Sequence, residues 1–217
     1  MAMSIGAYET DQEAFWAGEF GTSYIERHAG ARSVASNLSF FGRALRMARG
    51  IETCMEFGAS IGMNLRALAA LYPNLVQSAV EINDAAVDVL AGVVPVERIF
   101  HGSVLAYRPD RTFDLVLTKG VLIHIAPSHL PAVYDTLVAS CGRYLLVAEY
   151  FNPTPVSVPY RGHDDRLFKR DFAGEILDRH PVMRLVDYGF VYHRDPDFPQ
   201  DDLNWFLLER DRAGAGP

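Results

Sequence analysis

The chain of 217 residues carries 20 Lys and Arg against 27 Asp and Glu, a formal charge of −7, and 49 % of it is hydrophobic. That length and composition suit one domain with a sizeable core and exclude a disordered chain, while the acidic balance disfavours general binding to phosphate backbones. No run reaches the roughly 18 apolar residues of a membrane-spanning helix, and residues 1–12 lack the basic and apolar stretches of a secretory signal.

In chain order, residues 12–26 and 34–47 read as helices, so residues 1–49 form a helical cap or lid belonging to the same domain. From residue 50 onward strands alternate with helices. Residues 53–57 (TCMEF) are a short apolar strand, followed by Leu65, Leu68, Ala69 and Tyr72 at helical spacing. Residues 78–82 (SAVEI) make a second strand. Asn83 then offers a helix N-cap, with Ala86, Val87 and Leu90 on one face. A short strand at 98–102 precedes residues 113–118 (FDLVLT), a flat apolar run of the kind buried on both faces of a parallel sheet. Leu130, Val133, Tyr134, Leu137, Val138 and Cys141 form a helical stripe closed by Gly142, and 144–148 (YLLVA) is the fifth strand.

Beyond Tyr150 the composition changes. Residues 152–170 are rich in proline, polar and basic residues, and 160–170 read as a loop following the fifth strand. A helix at 171–179 and strands at 183–192 and 204–209 follow, then a frayed polar tail at 211–217. The pattern predicts an α/β fold with a Rossmann-like, doubly wound, seven-stranded and mostly parallel sheet, its core spanning 50–210. Cys54 and Cys141 lie in apolar patterns and read as buried free thiols, which points to a reducing, cytoplasmic setting.

The strongest chemical signal is the stretch 56–62 (EFGASIG), directly after the first strand and before a helix. Ligands of open α/β sheets bind beyond the carboxyl ends of strands, where glycines allow close backbone approach and helix N-termini offer free N–H groups. Glu81 ends the second strand 23 residues after Gly58, the place of a ribose-hydroxyl acceptor. Nicotinamide-binding loops read Gly-x-Gly-x-x-Gly; here Ser60 stands between Gly58 and Gly62, and an acidic Glu56 precedes the loop.

At these residues the sequence resembles the class I S-adenosylmethionine-dependent methyltransferases, whose first motif is an acidic residue followed by glycines at alternate positions. The resemblance implies that Glu56 lies near the donor's amino group and that Gly58, Ala59 and Gly62 line its methionine and ribose portions, with Ser60, Asn64 and Ile82 in the same set. Glu81 would accept from the ribose, and Gly102, Ser103 and the Val104 backbone N–H would meet the adenine. Thr118, Lys119 and Gly120 would flank the methyl donor. The strings FWAGEFGTSYIERH (15–28), TKGVLIHI (118–125), YFNPTPVSVPYRGH (150–163), FKRDFAGE (168–175) and NWFLLE (204–209) are further similar to the pseudaminic-acid-biosynthesis-associated methylases, which implies a sugar-type acceptor.

His124 follows the fourth strand on the rim where donor and acceptor meet. An imidazole near its reference pKa of about 6.5 can take a proton from an attacking hydroxyl or ammonium. The segment 160–170 (YRGHDDRLFKR) is a basic island with Tyr160, Arg161, His163, Arg166, Lys169 and Arg170, as an anionic acceptor would want. Trp16, Phe20, Tyr24 and Arg27 share a helical face, with Tyr24 and Arg27 turned toward the acceptor and Ser36 and Asn37 nearby. His and Cys show no paired metal-ligand spacing, so no metal is expected. Two rival functions stay open: a nicotinamide-dependent oxidoreductase on the same scaffold, and a non-catalytic S-adenosylmethionine-binding subunit.

Overall fold

Successive side chains of a strand point to opposite faces, and here both faces are buried. In β4 (Phe113–Lys119) Leu115 and Leu117 pack on one side and Val116 on the other. In β5 (Cys141–Glu149) Leu146 and Ala148 share the first side, Leu145 and Val147 the second. A sheet apolar on both faces needs helices on both. The computed structural model, which describes residues 8–28 and 31–211 with the side chains of 26–32 excepted, supplies them.

The first face is covered by α3 (Ala31–Ala44), α4 (Met63–Leu71) and α5 (Asp84–Leu90), through Phe40, Leu65, Leu68 and Leu90. The second is covered by α6 (Leu130–Ser140) and α7 (Phe172–Arg179), through Leu130, Leu137, Phe172 and Ile176. Leu137 is fully buried, so Leu137→Ala carries a cost of about 2–5 kcal/mol for lost contacts and the cavity left behind.

The remaining strands are β1 (Thr53–Phe57), β2 (Val76–Glu81), β3 (Ile99–His101), β8 (Met183–Phe190) and β9 (Asn204–Arg210), and the seven-stranded order is β3-β2-β1-β4-β5-β9-β8. β1 to β5 are parallel, and β9 runs antiparallel between β5 and β8. The chain winds outward from β1 through β2 to β3, then crosses back to place β4 on the other side of β1. That reversal opens a crevice beyond the carboxyl ends of β1 and β4.

Three local readings change. The helix expected over 12–26 is two, α1 (Asp11–Ala17) and α2 (Glu19–His28), because Gly18 takes an extended conformation between them. Gly142 does not close α6: Cys141 is already extended and paired with Phe113, so β5 begins with no intervening loop. The stretch 152–170 contains a hairpin, β6 (Val156–Tyr160) with β7 (His163–Lys169). Its turn places both Arg161 and Gly162 at positive φ, 51° and 85°, the pattern of a tight hairpin turn that matches strand twist. Cys54 and Cys141 are buried free thiols. Among the described residues no helix is long and apolar enough to cross a membrane. The tail at 212–217 lies outside the described residues.

Candidate functional site

The crevice opens into a cavity of about 510 Å³. Its inner wall is built from the three turns that follow β1, β2 and β3. In the first, Gly58, Ser60 and Gly62 have φ of 73°, 47° and 78°, so every second residue is left-handed. Glycine adopts this without strain, whereas a side chain makes it costly; Ser60 bears that cost in the middle of the loop. A Cβ at Gly58 would also lie 2.5 Å from Cγ2 of Val121, which leaves no room for a side chain there.

Glu81 binds the loop from the neighbouring strand. Its Oε2 accepts from the Ser60 N–H at 2.6 Å, and its Oε1 accepts from the N–H groups of Ile82 and Asn83 at 2.9 and 2.8 Å. Burial pushes the Glu81 carboxyl above its ordinary range while these three donors pull it back. A carboxylate offers about four acceptor sites, so capacity remains for a ligand hydroxyl.

Glu56, at the end of β1, is fully buried. Its Oε1 accepts from Asn64 Nδ2 at 2.6 Å, and its Oε2 has no hydrogen-bond partner among the described residues. Burial raises the carboxyl to about 8, against the opposing pull of Asn64 and Lys119. In the third turn, Ser103 Oγ accepts from the Leu105 N–H at 3.0 Å. Ala59, Ile82, Asn64, Gly102, Ser103 and Val104 all line the cavity.

The outer wall comes from distant chain segments. α1 and α2 supply Glu13, Trp16 and Tyr24, α3 supplies Ser36 and Asn37, and the β8–β9 connection supplies Gln200 and Asp201. Asn83 fastens this wall to the inner one. Its Oδ1 accepts from Ala86 N–H as the N-cap of α5, and its Nδ2 faces the carbonyl oxygens of Trp16, Ala17 and Gly18 at 3.2–3.3 Å.

His124 lies at the floor between the walls, in a single 3-10 turn after β4. Its ring meets those of Trp16 and Tyr160 at 4.6 and 5.1 Å, and its Nδ1 pairs with the Arg166 carbonyl oxygen at 2.6 Å. A carbonyl only accepts, so Nδ1 carries the hydrogen and Nε2 keeps the lone pair. The reference pKa near 6.5 does not hold here: burial lowers it to about 4. The imidazole is therefore neutral throughout the physiological range.

Behind His124 is a group the sequence did not single out. The buried carboxylate of Glu149 accepts from Thr118 Oγ1 and the N–H groups of Val121 and Leu122 at 3.0–3.1 Å, and from Ile123 N–H at 3.4 Å. Thr118 accordingly faces away from the cavity, while Lys119 and Gly120 line it.

The basic island does not form a cavity wall. Arg170 pairs with Glu175 at 2.7 Å, Arg166 sits 3.7 Å from Asp11 and over the Phe15 ring, and Lys169 stands over the Tyr150 ring. Arg161 lies over Tyr160 at the exposed hairpin tip, and His163 contacts the Phe15 ring. Of the acceptor candidates Tyr24, Ser36 and Asn37 line the cavity among the described side chains; that of Arg27 falls outside them. No cluster of metal-ligating residues occurs among the described residues.

No protein-family model matches the sequence, and no curated protein does either. Solved structures match it in fold. An amino pentose methyltransferase from Micromonospora echinaspora, with S-adenosylmethionine bound, is 12 % identical, with a TM-score of 0.62 over 88 % of this chain and 96 % of that one. The magnesium protoporphyrin IX methyltransferase of Synechocystis PCC 6803, also with S-adenosylmethionine bound, is 14 % identical, with a TM-score of 0.65 over 95 % of this chain and all of that one. A mitomycin 7-O-methyltransferase is 15 % identical, with a TM-score of 0.64 over 94 % of this chain and 62 % of that longer one. The likeness fixes the architecture: this chain has the Rossmann-like fold of the class I methyltransferases.

Proposed function

We propose that the protein is an S-adenosylmethionine-dependent methyltransferase acting on an oxygen or nitrogen of a small-molecule acceptor. The observation that carries this reading is the buried Oε2 of Glu56, without a partner among the described residues, two residues before the left-handed loop at Gly58, Ser60 and Gly62. A buried acceptor left unmatched costs about 1–3 kcal/mol or more. An ammonium satisfies it. S-adenosylmethionine carries one, and a nicotinamide dinucleotide does not.

Glu56, Gly58, Ala59, Ser60, Gly62 and Asn64 would hold the amino-acid and ribose portions, Glu81 and Ile82 the ribose hydroxyls, and Gly102, Ser103 and Val104 the base. When bound, the donor supplies a methyl group on a positively charged sulfur, already a good leaving group. The chain has the remaining work of alignment, exclusion of water and proton removal. The walls seat an acceptor over the donor loops. Nε2 of His124 takes the proton that the attacking atom sheds, held in the correct tautomer by the Arg166 carbonyl.

The neighbours named for an amino pentose, a porphyrin and mitomycin support a small acceptor. The similarity to pseudaminic-acid-associated methylases makes sugar-type molecules the first to try. Calorimetric titration decides the donor: S-adenosylhomocysteine should bind and NAD should give no heat. The opposite result would replace this reading with the oxidoreductase. A chain that binds the donor but methylates nothing in a panel of sugar alcohols and amino sugars would be the non-catalytic binding subunit.

A further inference from the structure

We infer that the acceptor end of the cavity receives an amine-bearing small molecule, its ammonium or amino group held between the carboxylates of Glu13 and Asp201 and the rings of Trp16 and Tyr24. This rests on the methyltransferase reading and names its substrate class.

The donor side already has its own acidic groups, Glu81 lining the cavity and Glu56 buried behind it on Asn64. Glu13 and Asp201 lie on other elements, α1 and the β8–β9 connection, yet they line the same space. Glu13 is buried. Its Oε2 accepts from the N–H and hydroxyl of Thr10 at 2.7 and 3.1 Å, completing a capping box. Burial, with the negative field of Asp201 beside it, pushes the Tyr150 hydroxyl up. Trp16 and Tyr24 meet edge to face, with centroids 5.3 Å apart and planes at 83°. Two rings set at right angles beside carboxylates are the surroundings that favour an organic cation.

An anionic acceptor would need the reverse. Among the described side chains, one ammonium, that of Lys119, lines the cavity, against the carboxylates of Glu13, Glu81 and Asp201. Lys119 also lies in the fields of Glu56, Asp201 and Glu149. Arg170, Arg166 and Lys169 are engaged elsewhere, and His193 is paired with Asp202 at 2.9 Å. The chemistry of His124 agrees independently. A buried, neutral imidazole is a weak base for a hydroxyl, whereas an ammonium that passes one proton to a flanking carboxylate or to water becomes an amine whose lone pair bonds the donor methyl as the carbon–sulfur bond breaks, the methylated nitrogen then shedding a second proton.

The test uses three probes of one shape and different charge: tetramethylammonium, neopentyl alcohol and pivalate. Each is titrated by ligand-observed NMR, at fixed ionic strength, into the full chain saturated with S-adenosylhomocysteine. Tetramethylammonium should bind roughly tenfold tighter than the other two. Asp201→Asn and Glu13→Gln should each remove most of that preference; the glutamine preserves the capping box. Trp16→Leu should weaken tetramethylammonium without making pivalate bind. Pivalate binding as well as or better than tetramethylammonium, or a preference untouched in both carboxylate variants, overturns the inference. Failure of S-adenosylhomocysteine to bind would instead strike the donor reading, and saturation by it with no ammonium preference strikes this inference alone.

Discussion

The two walls of the cavity are made in different ways. The inner wall consists of three short turns, each immediately following a parallel strand, so the sheet itself positions Gly58, Glu81 and Gly102. The outer wall joins α1, α2, α3 and the β8–β9 connection, which are brought together by side-chain contacts across more than a hundred residues of chain. A bond from Gln200 Nε2 to the Ser36 carbonyl at 2.8 Å is one such contact. The difference teaches that a donor site can be inherited with a sheet topology while an acceptor site must be assembled piece by piece. Substitutions in the inner wall should therefore act on donor affinity, and substitutions in the outer wall on acceptor choice.

The most severe test of that division is His124, which stands between the walls. His124→Ala should lower kcat by roughly 10²–10⁴-fold with a hydroxyl acceptor and much less with an amine, leaving donor affinity unchanged. The wild-type rate should hold from neutral pH down to a limb near pH 4, and the limb should vanish in the variant. The same depressed pKa makes stability fall as pH drops from about 6.5 toward 4, because the unfolded chain takes up the proton first.

Glu56 comes next. With its carboxyl raised to about 8, the free protein holds a proton there that a donor ammonium must displace. Donor affinity should rise with pH up to about 8 and level off above it. Glu56→Gln should abolish that rise and weaken the donor by about 1.5–3 kcal/mol, the range for bonds to charged groups. Without ligand, the raised carboxyl contributes stability that is full below its ordinary value of 4.5 and lost as pH climbs through 8. Calorimetry across pH with both proteins measures the first effect, and thermal melts measure the second.

Asn83→Ala removes the N-cap of α5, worth about 1 kcal/mol, and with it the tie to the α1–α2 junction. Its mark should be a faster proteolytic cut near Gly18 together with a higher acceptor KM. Ser60→Gly relieves a left-handed side chain and should stabilise the fold by about 1 kcal/mol, read as a raised Tm. Arg170→Ala should cost at most about 1 kcal/mol, as partly exposed ion pairs do, and leave the acceptor KM unchanged. A large KM effect there would return the basic hairpin to the acceptor site.

How much of this was legible in the sequence follows the same division. The loop after β1 could be read because glycine spacing encodes backbone conformation. The φ of 47° at Ser60 shows that the middle position is left-handed even where the glycine is missing. Strand-end position drew Thr118 toward the donor, but alternation along β4 turns its side chain to Glu149. The β6–β7 hairpin escaped because Pro159 and a run of charges hide its alternation, and because Arg161 occupies a turn position that Asn or Gly usually marks. Nothing in the sequence brings Glu13 and Asp201 to one cavity, since that depends on how the helices seat. The basic island read as an anion site because charge composition does not reveal that Glu175 and Asp11 already answer it.

One carboxylate also sets a rate unrelated to catalysis. The amides of Val121, Leu122 and Ile123 lie in a turn, where backbone hydrogens ordinarily exchange with deuterated solvent within moments of local fraying. Here all three donate to the buried Glu149 at the end of a central strand. Their exchange is thereby tied to the opening of β5 rather than to the turn's own motions. In a labelling experiment these loop amides should stay protonated as long as the sheet does, and report when the middle of the protein unfolds.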